Sequence, residues 1–311
     1  MAAPPLLLVF VLAAAVAVAA ALVRRAPPSA EGTVTAARRH ARLTSAAAVT
    51  LAALCALVSG ATDPLAGTGA SSVGRQALLV PIWFGVAHTV VLALGELTWP
   101  RPAGRVRRAR LVRRGLLDSA PRWLRRLGSG AAVAAALTIA GGALAAGPDG
   151  RSFAVTGADG RVASTAGPFA GPAYGGPAAV GLLVLAGVVV ATVWIVADRP
   201  AVATEDERIE AALRRASAHR VLRGAAAGTL FVTGGLLAVS GQAVHGAASS
   251  VAATATANGL PTSALTTHLL PPLGIAIAVL GLLAALAGLM LLAVRAPGVP
   301  ADRPSSAVPA G

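Results

Sequence analysis

Residues 271–294 read PPLGIAIAVLGLLAALAGLMLLAV, twenty-four positions without a charged side chain. A helix of that length rises about 36 Å, enough to cross the roughly 30 Å hydrocarbon core of a bilayer. Within it Gly274, Ala278, Gly281, Ala285 and Gly288 recur at spacings of 4, 3, 4 and 3, which places five small side chains on one stripe. Lipid gives helices no hydrophobic reason to associate, so close backbone approach along such a stripe is what holds them. Gly224 and Gly228, followed by Gly235, form a related pattern in the preceding apolar run. Glycine is common in this chain, with 35 copies, but the heptad regularity of the last run favours packing over chance.

Working outward, comparable apolar runs lie near 5–23, 43–60, 78–98, 130–147, 177–197 and 224–244. The chain has 311 residues, 56% hydrophobic and only 12% charged, too little charge to cover a soluble surface. The expected fold is all-α, a polytopic transmembrane bundle of about seven spans in one domain, 1–295, with a disordered cytoplasmic tail at 296–311. All 26 basic residues are arginine, and 23 of them fall in the connectors after runs one, three and five and in the tail. The positive-inside rule therefore predicts a cell-membrane protein with its N-terminus outside and its C-terminus cytoplasmic. The second and fourth runs are short and Ala-rich, so an even number of spans stays open. The first run has two readings. Ala17-Val18-Ala19 and Ala19-Ala20-Ala21 resemble signal-peptidase sites, whereas the missing positive n-region and the trailing Arg24-Arg25 favour a retained anchor.

Composition also excludes chemistry. Without a lysine there is no retinal or pyridoxal Schiff base and no Walker A loop, and the single Cys55 closes no intrachain disulfide and holds no iron–sulfur cluster. HExxH and GxSxG motifs are absent, so an enzyme is not expected, nor is any cofactor. The arginines sit beside membrane spans without aromatic interleaving, which assigns them to topology and anionic lipid and away from nucleic acid.

The connectors carry local signals. Leu116, Leu117, Trp123, Leu124 and Leu127 recur at helical intervals among Arg113, Arg114, Arg122, Arg125 and Arg126, the pattern of a segment lying on an anionic leaflet. Thr204 and Glu207 spell a capping box, and acids at 205–210 precede Arg214, Arg215 and Arg220 in the order that complements a helix dipole. Ile209, Leu213 and Ala216 share a face of this 204–222 helix, which is either a solvated extension of span six or a docking site for a protein partner. Residues 149–165 alternate around Gly157-Ala158-Asp159-Gly160 and predict a small external β-hairpin. The turn-rich stretch 167–177 that follows is either a cap over the bundle or a tether. The 245–270 connector has room for a short helix. Trp99 and Trp194 mark the inner ends of spans three and five.

Ionisable groups inside lipid are costly and are therefore the first functional candidates. His88 lies near the middle of span three, and Glu96 lies eight residues, about 12 Å, nearer the cytoplasm on the same helix. They are the candidate polar lining, with Thr89, Thr229, Thr233, Ser240 and Gln242 as possible hydroxyl or amide partners; the alternative for His88 is a satisfied interhelical hydrogen bond. His245 and His268 flank the last external connector, where no acid or cysteine completes a metal site.

Gly95-Glu96-Leu97-Thr98-Trp99-Pro100-Arg101-Pro102, with Arg107-Arg108 and the Pro172-Ala173-Tyr174-Gly175 approach to span five, resembles uncharacterised multi-pass membrane proteins of high-GC Gram-positive bacteria. The resemblance implies a plasma-membrane protein and assigns no site. Two functional expectations follow from the residues: a transport-related or accessory membrane component, or a non-enzymatic scaffold that recruits a cytoplasmic partner or anionic lipid.

Overall fold

Hydropathy puts most of this chain into long helices, and the computed structural model, which describes residues 29, 31–62, 70–100, 115–158, 160–202 and 206–301, shows how they connect. In chain order these are α1 (Gly32–Thr62), α2 (Ala70–Leu97) and α3 (Arg122–Ala145), then strands β1 (Phe153–Thr156) and β2 (Ala163–Ala166), then α4 (Pro172–Asp198), α5 (Glu207–Ala257), a π-helical turn at Leu265–Leu269, and α6 (Leu270–Ala293). Among the described residues six helices are long and apolar enough to cross a membrane, which fits a multi-pass membrane protein. The run at 5–23, expected as a further span, lies outside the described residues, as do Thr204 and the tail from 302.

Helix α1 starts eleven residues before the apolar run that announced it. Its first turns carry Arg38, Arg39 and Arg42, which hide the span from a hydropathy scan. Val34, Ala37 and Ala41 nevertheless form a buried face, packed with Trp99, Val202, Ile209 and Leu213. The expected 204–222 helix and span six are one element, the 51-residue α5. It begins at Glu207 and is capped by Asp206, whose side chain accepts from the Arg208 amide at 2.9 Å. The face of Ile209, Leu213 and Ala216 is buried, because α1 and the α4–α5 connector cover it.

The small-residue stripe of α6 packs against α5. A Cβ on Gly281 would lie 2.5 Å from the amide nitrogen of Ala238 and 2.6 Å from the carbonyl of Gly234, and one on Gly274 would lie 2.5 Å from the amide of His245. The matching positions on α5 are Gly234 and Gly241, which the sequence pattern missed; Gly235 faces open space, while Gly224 and Gly228 serve a different contact, with α2. Backbones this close make van der Waals contact and Cα hydrogen bonds available along two turns and more.

At the end of the bundle opposite Arg199 and Arg214, β1 and β2 pair antiparallel with Phe153 opposite Ala166 and Thr156 opposite Ala163, forming the expected hairpin. It lies on α5 through Val155, Ala247, Ala248 and Val251. The 167–171 stretch is packed in: Phe169 and Ala170 are buried, the Ala170 amide donates to Ser240 Oγ at 2.9 Å, and Phe169 meets Phe153 at 5.3 Å.

Asp149 organises the turn into the hairpin, accepting from the Arg151 and Ser152 amides at 3.1 and 3.0 Å and from Ser152 Oγ at 2.8 Å. The Arg151 amide, and then the Ser152 hydroxyl, hold its carboxyl below the usual aspartate value. A depressed carboxyl contributes order above its unfolded pKa and loses it as pH falls through the folded one. Amide-exchange protection at Ser152 is therefore expected to fall below about pH 4 in the parent and to be low and pH-independent in Asp149→Ala.

Candidate functional site

The C-terminal turn of α2, the C-terminus of α4 and the first turns of α5 meet at the arginine-rich end, and each brings charge into the contact. Glu96 Oε2 accepts from Arg199 Nη1 at 2.7 Å. Glu210 Oε1 accepts from Arg214 Nε at 2.8 Å, one helical turn along α5, and lies 3.9 Å from Arg199 Nη2. All four residues are at least nine-tenths buried. Two carboxylates face two guanidinium groups, so the charges of these four side chains balance, with the Arg220 guanidinium in electrostatic reach of Glu96 and Arg199. That balance is what makes burial of four charges tolerable.

Hydrogen bonds to the backbone complete it. A helix ends with carbonyls that have no intrahelical partner, and those of α4 are taken by Arg214: Nη1 donates to Val196 and Ala197 at 2.7 Å each, and Nη2 to Arg199 at 2.5 Å. Glu210 Oε2 accepts the Val202 amide at 2.9 Å, fixing the turn between α4 and α5. The Val202 carbonyl in turn accepts from Thr33 Oγ1 at 3.3 Å, which ties in α1. Arginine suits this position because its planar fork reaches several acceptors in one orientation.

Trp99 closes the cluster from the side. The Arg199 guanidinium lies 3.8 Å from the centre of its ring, a cation–π contact in a desolvated setting, and His40 meets the ring edge-on at 5.7 Å. His40 Nε2 also donates to the Gly95 carbonyl at 2.8 Å, where α1 and α2 are so close that a Cβ on Gly95 would overlap Thr44. The position of Trp99 suggested an interfacial anchor; the ring is instead 5% exposed and part of the core, whereas Trp194 at 60% faces outward. The last described residues fold onto the same end, with Arg38 Nη2 donating to the Pro300 carbonyl at 2.9 Å and Val299 packed on the α1 core.

His88 sits apart from this cluster. It is 3% exposed and stacks on Phe84 at 5.9 Å, and its ring occupies the notch at Gly224, where a Cβ would lie 2.6 Å from it. Its Nδ1 has no hydrogen-bond partner among the described residues. Glu96, on the same helix, turns to Arg199, so the two candidate lining residues do not meet. The hydroxyls that were possible relays bond elsewhere: Thr89 to Gly85, Thr229 to Ala225, Thr233 to Thr229, and Ser240 to Ala170, while Gln242 is exposed. His245 Nδ1 donates to the Pro271 carbonyl at 3.1 Å and His268 is exposed. Among the described residues no three His, Cys, Asp or Glu side chains converge on a metal-sized space.

A second charged feature lies at the start of α3. Leu117, Arg122, Arg125, Arg126 and Ser129 line an open cleft of about 580 Å³. Leu124 anchors this segment, fully buried against Ala226, Ala227 and Leu291, and Trp123 meets His219 edge-on at 5.8 Å.

No protein-family model, no curated protein and no solved structure matches this chain.

Proposed function

We propose that this chain is an accessory protein of the cell membrane. In this reading it has seven spans, the run at 5–23 supplying the first, with its N-terminus outside and its arginine-rich end cytoplasmic. It works as a non-enzymatic scaffold: a rigid platform at the cytoplasmic face, resting on anionic lipid. The observation that carries the reading is the buried Glu96–Arg199–Glu210–Arg214 network, which commits the polar end of α2 to holding α2, α4 and α5 together. The exposed side of the same part of α5, Glu207, Arg208, Ala211 and Arg215, is a narrow polar stripe open to a cytoplasmic partner. Cysteine labelling tests the orientation. In a Cys55→Ala background, Ala211→Cys should react with a membrane-impermeant maleimide only after cells are broken, and labelling of intact cells overturns the reading.

A transport-related role with His88 as polar lining is the second reading, favoured by one observation: the unpartnered Nδ1 of a buried imidazole within a span-length helix. Ion or proton flux through proteoliposomes of the parent and of His88→Ala decides it. Loss of flux supports the role, and flux that is absent in both or equal in both removes it.

A further inference from the structure

The first turns of α3 are electrostatically at odds with their own helix. The N-terminal end of a helix carries a partial positive charge and three or four free amides, and it favours acids. Helix α3 has no acid in its first turn and no side-chain cap: its N-cap is Pro121, and Arg122, Arg125 and Arg126 follow within five residues. Asp118, the one acid between 115 and 129, is engaged within its own turn, accepting the Gly115 amide at 2.6 Å. None of the three arginines is paired with an acid among the described residues, and the Nε of Arg125 is buried without a hydrogen-bond partner. Local charge that opposes local structure without compensation marks a site whose counter-charge comes from elsewhere.

The same side chains border the cleft of about 580 Å³, with the Ser129 hydroxyl on its wall. Leu117 on its wall is 43% exposed, and Leu116 and Trp123, the chain neighbours of Leu117 and Arg122, are 38% and 46% exposed, an apolar shelf that adjoins the basic residues along the chain. A free anion would use the arginines and leave that shelf in water. A lipid with a phosphate headgroup uses both.

We propose that this cleft binds the headgroup phosphate of an anionic phospholipid, held by Arg122, Arg125 and Arg126 at the positive end of α3, with the upper acyl chain over Leu116, Leu117 and Trp123. The proposal rests on the cytoplasmic, lipid-facing reading of this end of the bundle and narrows it to one site.

The test uses the full chain in nanodiscs of phosphatidylcholine, titrated with labelled phosphatidylglycerol at low salt. Arg122 and Arg126 are exposed, so Arg122→Gln/Arg126→Gln keeps the packing of Leu124 intact. Phosphatidylglycerol binding should weaken about twenty-five-fold in this variant, a factor of about five per arginine, and parent binding should weaken with added salt. Arg39→Gln, at an exposed arginine on α1 that does not line the cleft, should bind like the parent. In phosphatidylcholine alone the double variant should melt above the parent, because like charges have left a helix N-terminus. Equal binding by the parent and the double variant overturns this site while leaving the orientation, tested by labelling at position 211, untouched. Displacement of the lipid by millimolar inorganic phosphate also overturns the proposal, since it identifies a free-anion site.

Discussion

Replacing Arg214 with Ala is expected to cost the folded protein about 3–5 kcal/mol, the largest loss of any single substitution in the buried charge cluster. The variant removes the donor to three carbonyls at the end of α4 and takes from the buried Glu210 carboxylate its charged hydrogen-bond donor at 2.8 Å. Both consequences are costs of desolvated groups left without partners, and these exceed what the intact pair adds. Arg214→Lys restores the charge but not the fork, so it should recover less than half of the loss. Thermal or denaturant unfolding of the purified chain in one detergent measures all three proteins. Should Arg214→Ala unfold with the parent, the network is not what joins α4 to α5.

Gly281→Val is the second large effect, expected at about 3 kcal/mol or more. The new Cβ would meet backbone atoms of α5, not the end of a flexible side chain, so relief requires the two helices to separate. Separation also forfeits the contacts along Gly274, Ala278 and Ala285, and lipid does not compensate for them with a hydrophobic drive. Gly235→Ala on α5 is the control: nothing lies within 4 Å of its Cβ, and a helix prefers alanine to glycine by about 1 kcal/mol. The first variant should fall well below the parent on unfolding and the second should match or exceed it. A disulfide between cysteines placed at the α5–α6 contact should form readily in the parent background and poorly in the Gly281→Val background.

What was legible in the sequence is what depends on local composition. Apolar runs gave the six described helices, alternation around Gly157–Gly160 gave the hairpin, and the 4-3-4-3 spacing gave the packing face of α6. The partners of those features were not legible. Gly234 and Gly241 are seven apart, as the α6 stripe demands, but Gly235 beside them blurs the pattern, and one residue turns a side chain about 100° around the helix. Glu210 and Arg214 are a visible i, i+4 pair, read as helix-dipole charges because nothing local says that the turn is buried. Glu96 and Arg199 are 103 residues apart, and no spacing rule connects them. The start of α1 was hidden by its arginines: Arg39 is exposed, but Arg38 is buried and donates to the Pro300 carbonyl, 262 residues away, which no local pattern announces.

Helix α5 has one more consequence. At 51 residues it is about 76 Å long, more than twice the hydrocarbon thickness, and it carries the charge cluster near one end and the hairpin near the other. Any tilt of this rod swings its two ends in opposite directions. Tilt is one way a helix bundle meets a bilayer that thins or thickens, and a tilt of this rod gears the two faces of the protein together.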